Sequence, residues 1–126
     1  MDRVGIRRRL RAHHQLIGGD FGAEGVPHSH DYLIEVSLEG GTLDPHGFLF
    51  DLSALERHVD RLMERYDGRS LNALSGFEGL NPSLERFARD VAQRLEPHFT
   101  GRGLIGLTVK IWEHDSAWAS HRVELG

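Results

Sequence analysis

The 126-residue chain has no cysteine, which excludes disulfides, thiolate metal sites and cysteine nucleophiles together. It has no excess of positive charge either. Fifteen Lys and Arg stand against nineteen Asp and Glu, a formal net charge of −4, so nothing in the overall balance attracts nucleic acid or an anionic membrane. No apolar run approaches the roughly 18–20 residues that span a bilayer. The N-terminal stretch MDRVGIRRRLRAHH lacks the apolar core of a signal peptide, so a cytoplasmic location is expected. No repeat, low-complexity tract or linker divides the chain, and its length suits one domain over residues 1–126.

What the chain does have is nine histidines. Without thiolates, metal binding or proton chemistry falls to imidazoles and carboxylates.

Apolar periodicity divides the chain into six elements. Residues 4–16 alternate like a strand, with Ile6, Leu10, Ala12, His14 and Leu16 on one face and Arg7, Arg9 and Arg11 on the other. Arg8 breaks the alternation. The arginine cluster could suggest RNA, but in an acidic chain a solvated strand face is the better reading. Residues 28–38 alternate again, with His28, His30, Tyr32, Ile34, Val36 and Leu38 on one face and Leu33 as the exception. A glycine-bearing loop joins the two as an antiparallel pair. A helix then starts at Ser53-x-x-Glu56, a capping-box pattern, and carries Leu55, Val59, Leu62, Met63 and Tyr66 as its stripe, with Gly68 placed to stop it. The pair Asn81-Pro82 opens a second helix, with stripe residues Leu84, Phe87, Ala88, Val91 and Leu95, and Pro97 ends it. Strands over 104–113 and about 117–125 close the chain. The order ββααββ predicts an α+β domain, a four-stranded antiparallel sheet with two helices on one face.

Three features carry chemistry. His28 and His30 form an H-x-H pair whose rings share one side of a strand, and His14 has the matching parity on the facing strand. Three neutral imidazoles with an open fourth position describe a catalytic zinc site; the alternative is ordinary histidines near a strand end. Parity points His13 away. Glu113 ends an apolar strand face, which suits either a strand already in solvent or a carboxylate that accepts two parallel hydrogen bonds from an amino-pyrimidinone edge. Glu24 precedes His28 by four residues in a loop, where a solvated glutamate is the common case. The same loop, Gly18 to Pro27, has no basic residue to meet a phosphate.

Taken in order, six short motifs resemble the 6-pyruvoyltetrahydropterin and 6-carboxytetrahydropterin synthase family. Leu10-Arg11-Ala12-His13-His14 resembles F-x-A-A-H, and His28-Ser29-His30 resembles H-G-H. Gly47-Phe48-Leu49-Phe50-Asp51 is similar to G-x-x-x-D-F, and the stretch from Asp67 to Asn72 to D-H-x-x-L-N. Asn81-Pro82-Ser83-Leu84-Glu85 is similar to N-P-T-x-E, and Val109-Lys110-Ile111-Trp112-Glu113 to V-x-V-x-E. The resemblance covers nearly the whole chain. It implies the tunnelling fold, or T-fold, and a homo-hexamer of two stacked trimers with active sites between subunits. Carried over by position, it implies zinc on His14, His28 and His30, a pterin anchored by Glu113, and Ser83 in the substrate-binding set.

Two departures from the family pattern bear on activity. Glu24 stands where the synthases have a catalytic cysteine, and Gly68 where they have a histidine after the aspartate that here is Asp67. A branch of the family with glutamate in place of the cysteine cleaves the dihydroneopterin side chain to hydroxymethyldihydropterin. The resemblance therefore implies a zinc-dependent lyase with Glu24 and Asp67 in catalytic positions, and adjacency to Glu113 suggests His114 as a substitute imidazole. The alternatives are a pterin- or purine-like ligand binder that has lost the synthase reaction, with or without its zinc, and an unrelated structural use of the hexamer. Phosphate, if bound, would meet residues of a neighbouring subunit.

Overall fold

A computed structural model describes residues 1–126. Strands β1 (Asp2–His14) and β2 (His28–Gly40) are followed by helices α1 (Leu52–Met63) and α2 (Leu84–Phe99), and then by strands β3 (Gly106–His114) and β4 (Ala117–Glu124). Two single-turn 3-10 helices, Gly22–Gly25 and Leu71–Ala73, lie in the connections. The four strands form one antiparallel sheet in the order β1-β2-β3-β4, as the alternation predicts. No helix is long and apolar enough to cross a membrane.

The core lies between one face of the sheet and the two helices. Leu10, Ile34, Val36, Leu38, Leu107, Val109 and Ile111 meet Leu55 and Val59 of α1 and Phe87, Val91, Leu95 and Phe99 of α2. Each fully buried Val, Leu, Ile or Phe contributes about 1.5–3 kcal/mol relative to exposure, so this layer outweighs any surface ion pair. The two residues that break the sequence alternation have separate reasons. Arg8 is on the helix-facing side and reaches α1, with Nε 2.6 Å from Asp60 and Nη2 2.9 Å from Glu56. Leu33 is on the opposite face, in register with Arg9 and Trp112.

The helix and strand ends differ from the sequence expectations. β1 stops at His14, because beyond it the backbone bonds loop residues instead of β2: Gln15 N–H donates to Asn72 Oδ1 at 2.9 Å, and Leu16 N–H donates to the Glu24 carbonyl at 2.9 Å. The cap of α1 is Asp51, whose carboxylate accepts the Ser53 N–H at 2.9 Å, so Ser53 is inside the helix. α2 is capped by Ser83 Oγ, which accepts the Arg86 N–H at 3.2 Å, and Asn81 is occupied elsewhere. Pro97 lies inside α2 and does not end it. The N–H that proline lacks would have served Gln93, an exposed position, while one more half-turn buries Phe99 completely.

Both tyrosines of the chain are fully buried. Tyr32 packs edge-on to Phe87, and Tyr66 donates to Asp90 Oδ2 at 2.7 Å. Burial raises both phenols far above the usual tyrosine range, and at Tyr66 the Asp90 hydrogen bond adds to the shift.

Two measurements check this account. Asp51→Ala should cost about 1 kcal/mol in urea unfolding, while Ser53→Ala stays within roughly 0.5 kcal/mol, because only Asp51 caps the helix. For the tyrosines, the folded state favours the neutral phenol. That contribution is complete below the ordinary value near about pH 10 and is lost as pH rises further. Ultraviolet titration should therefore show no tyrosinate in the folded protein near pH ~10, and ionisation should coincide with alkaline unfolding; a native-state tyrosinate signal there would refute it.

Candidate metal centre and its cleft

The site begins with strand register. β1 and β2 pair so that His14 lies opposite His28 and Ala12 opposite His30. Period-two alternation sends the three imidazoles to the helix-facing side, and Ala12 contributes only a methyl group beside the His30 ring. The ring centroids are 4.5, 5.1 and 5.0 Å apart, each pair edge-to-face.

Backbone carbonyls set the tautomers. His14 Nδ1 lies 3.1 Å from the Pro82 carbonyl, and His28 Nδ1 lies 2.8 Å from the Val26 carbonyl. A carbonyl only accepts, so both Nδ1 atoms carry the proton and both neutral rings present a bare Nε2. Those two Nε2 atoms face each other at 2.9 Å. Two lone pairs at that distance repel unless a cation lies between them. Burial holds the His14 imidazole below the usual histidine range; the Pro82 hydrogen bond opposes that shift, and the neighbouring His28 and His30 reinforce it. A neutral ring there favours a metal ion over a proton as the shared cation.

His30 offers a third nitrogen. Its Nε2 is buried and makes no hydrogen bond, although Glu113 Oε1 lies 3.0 Å away outside hydrogen-bond angles. Ligand atoms of His14, His28 and His30 all lie within 4.8 Å of one another. Zinc–nitrogen bonds of about 2.0–2.1 Å put tetrahedral ligands roughly 3.3 Å apart, so the cluster suits zinc after small ring movements. The unpartnered His30 Nε2, the facing Nε2 atoms of His14 and His28 and their carbonyl-bound Nδ1 atoms are the donor set and outer shell that such an ion needs.

Glu113 follows Leu107, Val109 and Ile111 on the helix-facing side of β3, at an irregularity of the strand. Trp112 pairs with Trp118 and His114 with Ala117, which leaves Glu113 as the extra residue of a bulge. A second group of nearby ligand atoms joins Glu24, His30 and Glu113, again within 4.8 Å. These residues open into a cleft of about 430 Å³, whose lining includes His14, Leu16, Glu24, Ser83, Glu85 and Glu113. A larger hollow of about 590 Å³, beside Val4, Phe48 and Phe50, holds no histidine.

Asp67 and His114 lie outside that cleft. Asp67 Oδ1 accepts the Arg11 backbone N–H at 3.2 Å, at the free edge of β1. Gly68 beside it donates its N–H to the Arg11 carbonyl at 2.7 Å and has φ +73°, a left-handed backbone that favours glycine. His114 is on the other face of the sheet, in a separate cleft with Arg7, Arg9, Leu33 and Trp112, and its Nδ1 approaches Ser116 Oγ at 3.3 Å. Glu113 shares the helix-facing parity of Leu107, Val109 and Ile111, and its neighbour has the opposite one.

Positioning residues that sequence reasoning missed hold the end of β1. Asn72 clamps Gln15 by accepting its N–H at 2.9 Å and donating to its carbonyl at 3.1 Å. Asn81 Oδ1 accepts the Ile17 N–H, and the Arg69 carbonyl accepts the His13 N–H at 2.8 Å. The available signal was that both asparagines of the chain fall between α1 and α2, in a segment without periodicity.

The family model described as 6-pyruvoyl tetrahydropterin synthase matches residues 3–124. The Caenorhabditis elegans 6-pyruvoyl tetrahydropterin synthase structure is 23% identical, covers 98% of each chain and superposes with a TM-score of 0.80. The Plasmodium falciparum enzyme is 13% identical with a TM-score of 0.77, again covering 98% of each chain. The Plasmodium vivax enzyme, in a form whose catalytic glutamate is replaced by cysteine, is 14% identical with a TM-score of 0.74, covering 98% of this chain and 99% of its own. No curated protein matches the chain in sequence.

The metal reading has a direct check. Protein incubated with zinc and desalted should retain about one ion per chain by elemental analysis, and His28→Ala or His30→Ala should lose it. Retention of zinc by both variants would place the ion elsewhere.

Proposed function

Because the chain belongs to the 6-pyruvoyl tetrahydropterin synthase family, we propose that its cleft binds a pterin-type substrate and, with zinc on His14, His28 and His30, cleaves the side chain of a dihydroneopterin. The observation that carries this reading is the pair of bare Nε2 atoms 2.9 Å apart, with both Nδ1 atoms held by backbone carbonyls. Bound zinc supplies Lewis acidity, which lowers the pKa of a coordinated hydroxyl.

The chain's own residues take the other roles. Glu113, at the cleft's inner end, accepts two hydrogen bonds from the amino-pyrimidinone edge of the pterin. Ser83 borders the substrate from the start of α2. Glu24 is the base. It takes the proton of the middle side-chain hydroxyl, whose carbon becomes the aldehyde carbonyl; the bond between that carbon and the ring-side hydroxyl carbon breaks, and its electron pair enters the pterin ring. The outer fragment leaves as an aldehyde, and protonated Glu24 returns its proton to the ring-side carbon. The product is hydroxymethyldihydropterin, with no redox partner required. The catalytic glutamate of the Plasmodium vivax enzyme supports a carboxylate in this role. Asp67 and His114 lie outside the cleft of a single chain, so the proposed base is Glu24 alone. The proposed assembly is a homo-hexamer, and the edge strands β1 and β4 are the surfaces such an assembly would join.

A second reading keeps the pocket without the reaction, as a pterin- or purine-like ligand binder. It is favoured by the absence of an imidazole beside Asp67, whose carboxylate is engaged with the backbone of Arg11.

Anaerobic incubation of zinc-loaded protein with dihydroneopterin, followed by chromatography of the pterins, separates the two. Hydroxymethyldihydropterin is the expected product, and Glu24→Gln should lower kcat by about 10²–10⁴. Substrate that binds but stays intact would favour the binder.

A further inference from the structure

We propose that the groove between α1 and α2, on the outer side of the helix layer, is a binding site for a small dianionic oxyanion, a phosphate or sulfate group. It is separate from the cleft at the β1–β2 end and does not depend on the pterin reading. α1 presents His58, Arg61 and Arg65 to the groove at helical spacing, and α2, running the other way, presents Arg94 and His98. Leu62 and Leu95 complete the lining, so no Asp or Glu is part of it, in a chain whose formal net charge is −4. The groove holds about 200 Å³, enough for an ion of this size with some water and less than an ordinary small-molecule pocket. An assembly that joins the sheet edges β1 and β4 does so away from this side of the helices.

The cations are held in place but not neutralised. Arg65 and Arg94 both donate to the Ser75 carbonyl, at 2.6 and 3.3 Å. One carboxylate, Asp90, serves both of them and Tyr66 as well: its Oδ2 accepts the Tyr66 hydroxyl at 2.7 Å and Arg94 Nε at 3.1 Å. Arg65 Nε lies 4.0 Å from that oxygen and is buried without a hydrogen bond. The other helix carboxylates in ion pairs, Glu56 and Asp60, are turned to Arg8, so Arg61 is left exposed and unpaired. The rings of His58 and His98 stack with centroids 4.4 Å apart and 28° between planes. Two imidazolium rings at that range repel each other, and the arginines beside them repel a metal ion as well. Burial holds His58 below the usual histidine range, and His98, Arg61, Arg102 and Arg57 all act in the same direction. An oxyanion at the ring edges offsets that repulsion and lets both rings donate N–H bonds beside Arg61. Anion binding therefore takes up protons, and affinity rises as pH falls through the histidine range.

The test follows the histidine ring signals of the whole chain by nuclear magnetic resonance as sulfate is added at constant ionic strength. His58→Ala and His98→Ala assign the two signals. Sulfate stays dianionic throughout, so pH acts on the protein alone. Both signals should shift together and saturate, with half-saturation at least about fivefold lower in sulfate at about pH 5.5 than at about pH 7.5. Arg61→Ala should raise the half-saturating concentration about tenfold, the loss of one charge-assisted hydrogen bond. Arg9→Ala, on the other face of the sheet, should leave it unchanged. Inorganic phosphate and glycerol phosphate should both displace sulfate, and the stronger of the two shows whether the site prefers a free ion or an organic phosphate. No saturation at either pH would overturn the proposal. So would a half-saturation indifferent to Arg61→Ala or to pH, or one that Arg9→Ala weakens equally.

Discussion

The site depends on the register between β1 and β2. Pairing His14 with His28 places all three imidazoles on the helix-facing side, at the end of the sheet where the strands separate. A slip of one residue would turn His28 and His30 to the other face, and with them Tyr32, Ile34, Val36 and Leu38. Those apolar residues are fully buried against α1 and α2, so the hydrophobic layer that stabilises the domain also enforces the geometry of the histidines. The three imidazoles need no separate device to keep them on one side.

Register alone leaves the rings free to rotate, and here the loops and the start of α2 contribute. The Pro82 carbonyl, one residue before the α2 cap, fixes the His14 ring, and the Val26 carbonyl fixes His28. Docking of α2 therefore orients an imidazole carried by β1. Asn72, Asn81 and the Glu24 carbonyl hold the backbone that leaves β1, which draws the loop bearing Glu24 toward the same cleft. A loss of packing under α2 would loosen ligand orientation before it dissolved the sheet.

How much of this could be read from the sequence follows from what leaves a periodic trace. Strands and helices with one buried face did, and so did the shared parity of His14, His28 and His30. Cap positions did not, because Asp51 and Ser53 are both good capping residues and only the backbone path decides between them. Pro97 misleads for a similar reason: the helix continues because Phe99 gains burial, a tertiary effect. His114 shows the limit of adjacency. Side chains alternate along a strand, so Glu113 keeps the helix-facing side of Leu107, Val109 and Ile111 while His114 lies on the other face. Arg8 broke the pattern because its partners, Asp60 and Glu56, are about fifty residues away in a helix.

The glycine at position 68 also bears on the chemistry. Its left-handed φ and its N–H bond to the Arg11 carbonyl tie the stretch after α1 to the edge of β1. Any side chain with a Cβ would carry strain of order 1 kcal/mol there, so this backbone is a poor place for an imidazole. A reaction that needs two separate groups, one removing a proton and another delivering one elsewhere, would be poorly served. Cleavage of a carbon–carbon bond next to a hydroxyl makes a smaller demand. The proton leaves an oxygen and returns to a carbon two bonds away, within reach of a single carboxylate. Glu24 is exposed and sits on a single 3-10 turn, with its carboxylate near His30 and Glu113. On the proposed reading, the same side chain both takes and returns the proton, and the departure at Gly68 is compatible with turnover.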